Sequence, residues 1–316
     1  MFSRKTTLIK TYFKIVGLLV IFFIFFVKIF LTDNLPEERG QIQKKLKASS
    51  PISNKNYYNL LKPCLNEVKF EHDISVWTFL TDDSNYAHSA VKLLKSIEKN
   101  AGSTKFDKLI IELSEKPLSN QLREMLMKVG WNICVVKRIE PRDEANTFPR
   151  FRDQFTKLIL FNMTEYKSVV YFDSDVFVIN NIEPLLNVYK QLDNQNTKIA
   201  CTRDIRESVW QDTFNMGVFS IRPDHEEFKR LIEMKSDANV EFETAMSEQG
   251  FLNVVYKNKW LEFGFEYNAN LAVFSQQKAF WNKYEKNISV IHYTMNKPWS
   301  CSDEYIQVCK KWIEFL

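Results

Sequence analysis

Two carboxylates two residues apart, Asp173 and Asp175, interrupt an otherwise apolar run, Val-Val-Tyr-Phe-Asp-Ser-Asp-Val-Phe-Val, from Val169 to Val178. Short apolar runs rich in Val, Tyr and Phe read as strands buried on both faces. An unpartnered charge is costly to desolvate, so the acids belong where the strand emerges. In open α/β sheets that carboxyl edge is where ligands bind. Residues i and i+2 of an extended segment point the same way, so both carboxylates, flanking Ser174, can reach one divalent cation. Such a hard ion prefers oxygen ligands. The chemistry this spacing predicts is a metal site that holds a diphosphate. An Asp-x-Asp also arises by chance and can merely cap a strand, so its setting has to decide.

Four further clusters supply that setting. Thr81-Asp82-Asp83-Ser84-Asn85-Tyr86 follows an apolar strand ending at Leu80. A helix start there offers unpaired amides, and Tyr86 offers a flat face and a hydroxyl, although the same residues serve equally as caps. Arg150, Arg152 and Lys157 precede the acidic pair. Cations offset a diphosphate and Arg grips one in a fork; a solvated basic face reads the same way. In Phe214-Asn215-Met216-Gly217-Val218 the amide can read a sugar hydroxyl and the glycine permits close backbone approach, or else the stretch is a turn into a core strand. The last cluster is a pair, Ser247-Glu248-Gln249-Gly250 and Val290-Ile291-His292-Tyr293-Thr294-Met295-Asn296-Lys297-Pro298-Trp299. His292 closes an apolar strand as a third metal ligand or as a structural histidine, and Lys297 can reach a phosphate.

The elements that must position these residues alternate. Strands are expected over 74–80, 108–113 and 131–136, and helices over 84–99, capped by Asp83 or Ser84, over 118–129 and over 155–163. The last leads into the strand before Asp173. Such alternation predicts the α/β class, a mostly parallel sheet flanked by helices. With 316 residues, 45% of them apolar, the chain can bury a large core; its seven glycines form no Gly-rich phosphate loop.

Residues 1–31 stand apart. Arg4, Lys5, Lys10 and Lys14 precede an apolar stretch from Ile15 to Leu31, broken only by Lys28. Its length is at the lower limit for a spanning helix, and no small-residue cleavage site follows, so it reads as a retained signal-anchor rather than a signal peptide. The charge ahead of it keeps residues 1–14 cytosolic and places the rest in a lumen, a type II arrangement of the Golgi or endoplasmic reticulum. Without the five basic residues of this segment, 38 basic residues face 39 acidic ones, which disfavours a nucleic-acid partner. Residues 32–73 read as a stem and 74–316 as the globular body. The sequons at Asn162 and Asn287 agree with a lumenal body. So do the five cysteines, of which an odd one must stay unpaired within a monomer; Cys301 and Cys309 are close enough to bridge.

The succession Thr-Lys-Leu-(x)3-Asn-x-Thr-Glu-Tyr, Tyr-Phe-Asp-Ser-Asp, Asn-Ile-(x)2-Leu, Phe-Asn-x-Gly-Val, Glu-Gln-Gly-x-Leu-Asn and His-(x)4-Lys-Pro-Trp, from about residue 74 to 299, resembles the glycogenin-like family 8 glycosyltransferases. That resemblance implies a GT-A fold and retaining transfer of a sugar from a UDP-linked donor with Mn²⁺, onto a glycan, protein or lipid. It implies Asp173, Asp175 and His292 as metal ligands, and Leu80, Asp82, Asp83 and Tyr86 as the uridine pocket. Lys157 and Lys297, with Arg150, would approach the donor, Asn215 and Gly217 would lie near the sugar or acceptor, and Gln249 beside Glu248 would sit at the anomeric carbon. Two departures stand out: Glu248 where relatives commonly carry Asp, and Met295 where they usually carry Gly. A side chain at 295 would crowd the diphosphate, which makes a binding-only relative the rival reading. No counterpart of a self-glucosylated tyrosine is found, so glycogen priming is not expected.

Overall fold

The first strand, β1 (Ile74–Leu80), is buried at every residue, so layers cover both its faces. It pairs in parallel with β2 (Asp107–Leu113) and β4 (Ser168–Phe172), and β2 pairs in parallel with β3 (Asn132–Val136). Beyond β4 the direction reverses. β7 (Val209–Ile221) runs antiparallel to β4 and to β6 (Ile199–Arg206), and β8 (Trp260–Glu262) lies parallel to β6. The seven strands follow the order β3-β2-β1-β4-β7-β6-β8, with β7 alone running against the other six, the mostly parallel α/β sheet that the alternation predicts. This computed structural model describes residues 63–82, 84–192 and 197–315.

Helix α1 (Asn85–Asn100) starts at Ser84, whose hydroxyl accepts the Tyr86 amide, and it buries Ala87, Ala90, Leu93, Leu94 and Ile97 along one stripe. These residues pack with Val76, Leu80, Ile110 and Val170 of the sheet and with Trp131, whose indole N–H donates to the Ala90 carbonyl at 3.0 Å. Each fully buried Leu or Ile there contributes about 1.5–3 kcal/mol. Helix α2 (Asn120–Lys128) begins at Ser119, which accepts from the Leu122 amide at 3.2 Å. The nine residues Gln154–Asn162 form a 3-10 helix rather than an α-helix. All but the first are buried, so this segment has no solvent face to impose an amphipathic period.

The run from Val169 to Val178 is not one strand. Pairing with β7 stops where the Asp173 amide donates to the Gly217 carbonyl at 2.7 Å, and the Val176 amide then closes a turn on the Asp173 carbonyl at 3.1 Å. Past the turn, β5 (Val176–Val178) leaves for a second sheet. There it pairs antiparallel with β10 (Val290–His292), which lies parallel to β9 (Ala269–Asn270). The extended i, i+2 geometry expected for Asp173 and Asp175 is therefore replaced by a turn between two sheets. Both halves are apolar and β-branched, so periodicity alone could not show the break. The second sheet carries its own core, with Phe177, Leu271, Trp281, Ile291, Tyr293 and Val308 among its members.

Residues 63–73, assigned above to the stem, are fastened to the body: Cys64 is disulfide-bonded to Cys134 of β3, and the Leu65 amide donates to the Val135 carbonyl at 2.7 Å. Asn162 is buried with its side-chain oxygen 2.6 Å from His225 Nδ1, a position with no room for a glycan, whereas Asn287 is exposed. Among the described residues no helix is long and apolar enough to cross a membrane. The expected cytosolic tail, anchor and most of the stem, residues 1–62, lie outside the described residues, as does Asp83.

Candidate active site

The turn after β4 and the end of β10 bring Asp173, Asp175 and His292 together, their ligand atoms all within 4.8 Å of one another. His292 Nε2 lies 3.4 Å from Asp175 Oδ1 and 3.8 Å from Asp173 Oδ2. Its other ring nitrogen, Nδ1, is 2.9 Å from the side-chain oxygen of buried Asn268. That contact fixes the tautomer with the proton on Nδ1, leaving the Nε2 lone pair aimed at the carboxylates. Two carboxylate oxygens and one imidazole nitrogen make a donor set suited to a divalent ion of the Mg²⁺, Mn²⁺ or Zn²⁺ kind. Ser174, between the acids, is buried.

Two lysines hold the acids in place. Lys157 Nζ, buried, sits 3.0 Å from Asp173 Oδ1 and 3.2 Å from Glu248 Oε1. Burial works against its charge, but the two carboxylates outweigh it and raise its pKa. Burial raises the Glu248 carboxyl, with Lys157 opposing. The Tyr171 hydroxyl donates to Asp173 Oδ1 at 2.8 Å. On the far side Lys297 pairs with Asp175 Oδ2 and donates to the Tyr293 carbonyl at 2.8 Å. Desolvation pushes Asp175 up, yet the Lys297 ammonium beside it holds it well below the ordinary carboxylate range, ionised throughout the neutral region.

The third wall comes from β7 and from helix α4 (Ser247–Val255), which follows α3 (His225–Ser236). The Gln249 carboxamide is held at both ends: its oxygen accepts the Met216 amide at 3.0 Å and its nitrogen donates to Asp204 Oδ2 at 3.1 Å. Asn253 exchanges two hydrogen bonds, at 2.7 and 2.9 Å, with the Phe214 backbone and so locks α4 onto β7. Asn215 accepts from the Gly217 amide at 2.9 Å and from Asn268 at 3.0 Å. Gly217 is obligatory here, because a Cβ on it would stand 2.0 Å from His292 Cε1. Ser247, at the head of α4, is buried with φ +52°, a left-handed conformation that costs a non-glycine residue on the order of 1 kcal/mol or more and sets the entry of Glu248 and Gln249.

The remaining predicted residues divide. Leu80 is buried at the carboxyl end of β1, and Tyr86 stands half-exposed on the first turn of α1, its ring 5.7 Å from Lys297 Nζ and 4.8 Å from the Trp299 ring. Asp82 caps the same turn by accepting the Ser84 amide at 3.0 Å. Arg150 is exposed over the Phe151 ring at 4.6 Å and, among the described residues, joins no carboxylate. Asp204, Asn268 and Tyr171 belong to the site and escaped the sequence reading. Asp204 stands alone in a stretch without a recognisable pattern; Asn268 and Tyr171 act through another residue and leave no spacing signal.

A mixed α/β sheet with a metal-capable Asp-Asp-His cluster at its carboxyl edge defines the class of protein. The model for glycosyl transferase family 8 matches residues 77–302, and the chain belongs to that family. It is 26% identical over 229 residues to a glycogenin of Neurospora crassa, covering 71% of this chain and 31% of that one. To inositol phosphorylceramide glucuronosyltransferase 1 of Arabidopsis thaliana it is 25% identical over 233 residues, covering 66% and 40%. The chain thus spans less than half the length of these two relatives. The fold is shared with galactosyltransferase LgtC, solved in complex with donor and acceptor sugar analogs, at a TM-score of 0.53 and 19% identity over 76% of this chain and 94% of that one.

Proposed function

We propose that the chain is a retaining glycosyltransferase that moves a hexose or related sugar from a UDP-linked donor to a glycan, protein or lipid acceptor, with Mn²⁺ or a similar cation. The observation that carries this reading is the cluster of two aspartates and one histidine at the carboxyl edge of the sheet, within a matched family 8 domain. Asp173, Asp175 and His292 would hold the ion, which when bound supplies positive charge to the departing diphosphate. Around them two lysines face three carboxylates, so the bare site has a carboxylate in excess and suits a divalent cation followed by an anionic ligand. Lys297 lies beside Asp175 and can turn to a diphosphate oxygen as charge develops there. Leu80, Asp82 and Tyr86 would form the uridine end.

Gln249, pinned between Met216 and Asp204, would present its amide to the sugar. A carboxamide is a poor nucleophile, and Glu248 is buried against Lys157. Retention then follows from same-face attack, in which the acceptor hydroxyl enters on the side the diphosphate leaves and gives its proton to a diphosphate oxygen. A covalent glycosyl adduct on Glu248, found by mass spectrometry, would overturn this route. The binding-only rival rests on Met295, whose side chain is 58% exposed. Two disulfides, Cys64–Cys134 and Cys301–Cys309, support an oxidising lumen, with the type II Golgi arrangement as the proposed location. The test is UDP release from a panel of UDP-sugars with Mn²⁺. One donor should be turned over, and activity should vanish with a chelator and in Asp175→Asn.

A further inference from the structure

The C-terminal helix α7 (Ile306–Ile313), which follows α5 (Leu271–Gln276) and α6 (Lys278–Tyr284), is tied to the fold at several points. Cys309 is bonded to Cys301, two residues past Trp299, and the Val308 carbonyl accepts the Tyr293 hydroxyl at 3.1 Å. Lys92 of α1 donates to the Trp312 carbonyl at 2.7 Å and lies 4.2 Å over the Trp312 ring. These ties present Trp312 to Trp299, ring centres 6.2 Å apart. Trp299 in turn meets Tyr86 edge-on at 4.8 Å, and Tyr86 flanks Lys297, the partner of Asp175.

We propose that α7 is a strap for the nucleotide end of the donor pocket and that Trp312 is a positioning residue acting through Trp299 on Tyr86. This rests on the donor reading above. Tyr86 is 37% exposed on a helix's first turn, and Trp299 sits on a three-residue turn after Pro298, so neither ring is fixed by its own element. A ring that must be ordered when a ligand arrives lowers affinity, and backing it in advance removes that loss. On the donor reading the base and ribose would face Tyr86, and the strap acts there rather than on the diphosphate, which the lysines and the metal cluster would hold.

The test uses the full-length chain in mild detergent and two probes, UDP and inorganic pyrophosphate, each titrated calorimetrically with Mn²⁺ present. Trp312→Ala should weaken UDP roughly fivefold to tenfold, the worth of about one aromatic contact, and leave pyrophosphate unchanged. Trp312→Phe should restore most of the loss, and the double variant Cys301→Ala/Cys309→Ala should reproduce it. Wild-type affinity for UDP in Trp312→Ala overturns the strap, as does an equal loss for both probes, which marks general loosening. A wild-type chain that binds neither probe would instead overturn the donor reading itself.

Discussion

Replacing Gly217 by alanine puts one methyl group against His292, the proposed third metal ligand. The new Cβ would lie 2.0 Å from His292 Cε1, 2.5 Å from Nδ1 and 2.9 Å from Nε2. Relaxed contacts begin near 3.4 Å, so the ring must retreat about 1.4 Å or β7 must shift by as much. The ring cannot retreat freely, because it is buried and Asn268 holds its Nδ1. Metal–ligand distances tolerate about 0.2 Å, so a displacement several times larger removes His292 from the donor set. Overpacking of this kind costs about 1–3 kcal/mol of stability. Losing the orientation of a ligand weakens metal affinity about 10–100-fold. Calorimetric titration of Mn²⁺ and UDP into Gly217→Ala, beside a thermal melt, measures both. A folded variant with unaltered Mn²⁺-dependent UDP binding would refute the placement of Gly217 under a ligating His292.

Other outcomes follow from the same contacts. Asn268→Ala frees the His292 ring and should weaken Mn²⁺-dependent UDP binding about tenfold or more, with stability lowered by about 1–3 kcal/mol for the buried Nδ1 left unpaired. Removing the Cys64–Cys134 link, which closes a separation of 70 residues, by Cys64→Ser/Cys134→Ser should cost about 2–5 kcal/mol in a denaturant titration. Burial lowers the pKa of Lys235 to about 8, so between there and its ordinary 10.5 the unfolded chain binds more protons and stability rises with pH. Wild type should gain up to roughly 3 kcal/mol relative to Lys235→Met from pH 7 to 11. Parallel curves for the two would remove Lys235 as the cause.

The sequence made β1 and β2 legible because each is a bounded apolar run followed by a capped amphipathic helix. β1 was found at its own limits, Ile74–Leu80, and α1 to within one residue at its end. Of the second sheet only the apolar strand closed by His292 was legible. Its strands are two or three residues long, and one continues an apolar run that belongs to another sheet. Asp173, Asp175 and His292 were singled out by chemistry, and the fold brings them together; the turn that does so carries no signal beyond the acids themselves. Asp204 lies in a stretch without a recognisable pattern, and its partner Gln249 is 45 residues away. The Cys64–Cys134 pairing lies across a stretch that composition assigns to a linker.

The most direct test of the central claim is UDP release by the full-length chain across UDP-sugars, with Mn²⁺ titrated from zero, in wild type, Asp173→Asn, Asp175→Asn and His292→Ala. The account predicts saturable release from one donor that requires the ion and falls by at least two orders of magnitude in each variant, the scale of removing a group that stabilises developing charge. Undiminished release in the folded variants, or in wild type without any divalent ion, would contradict it.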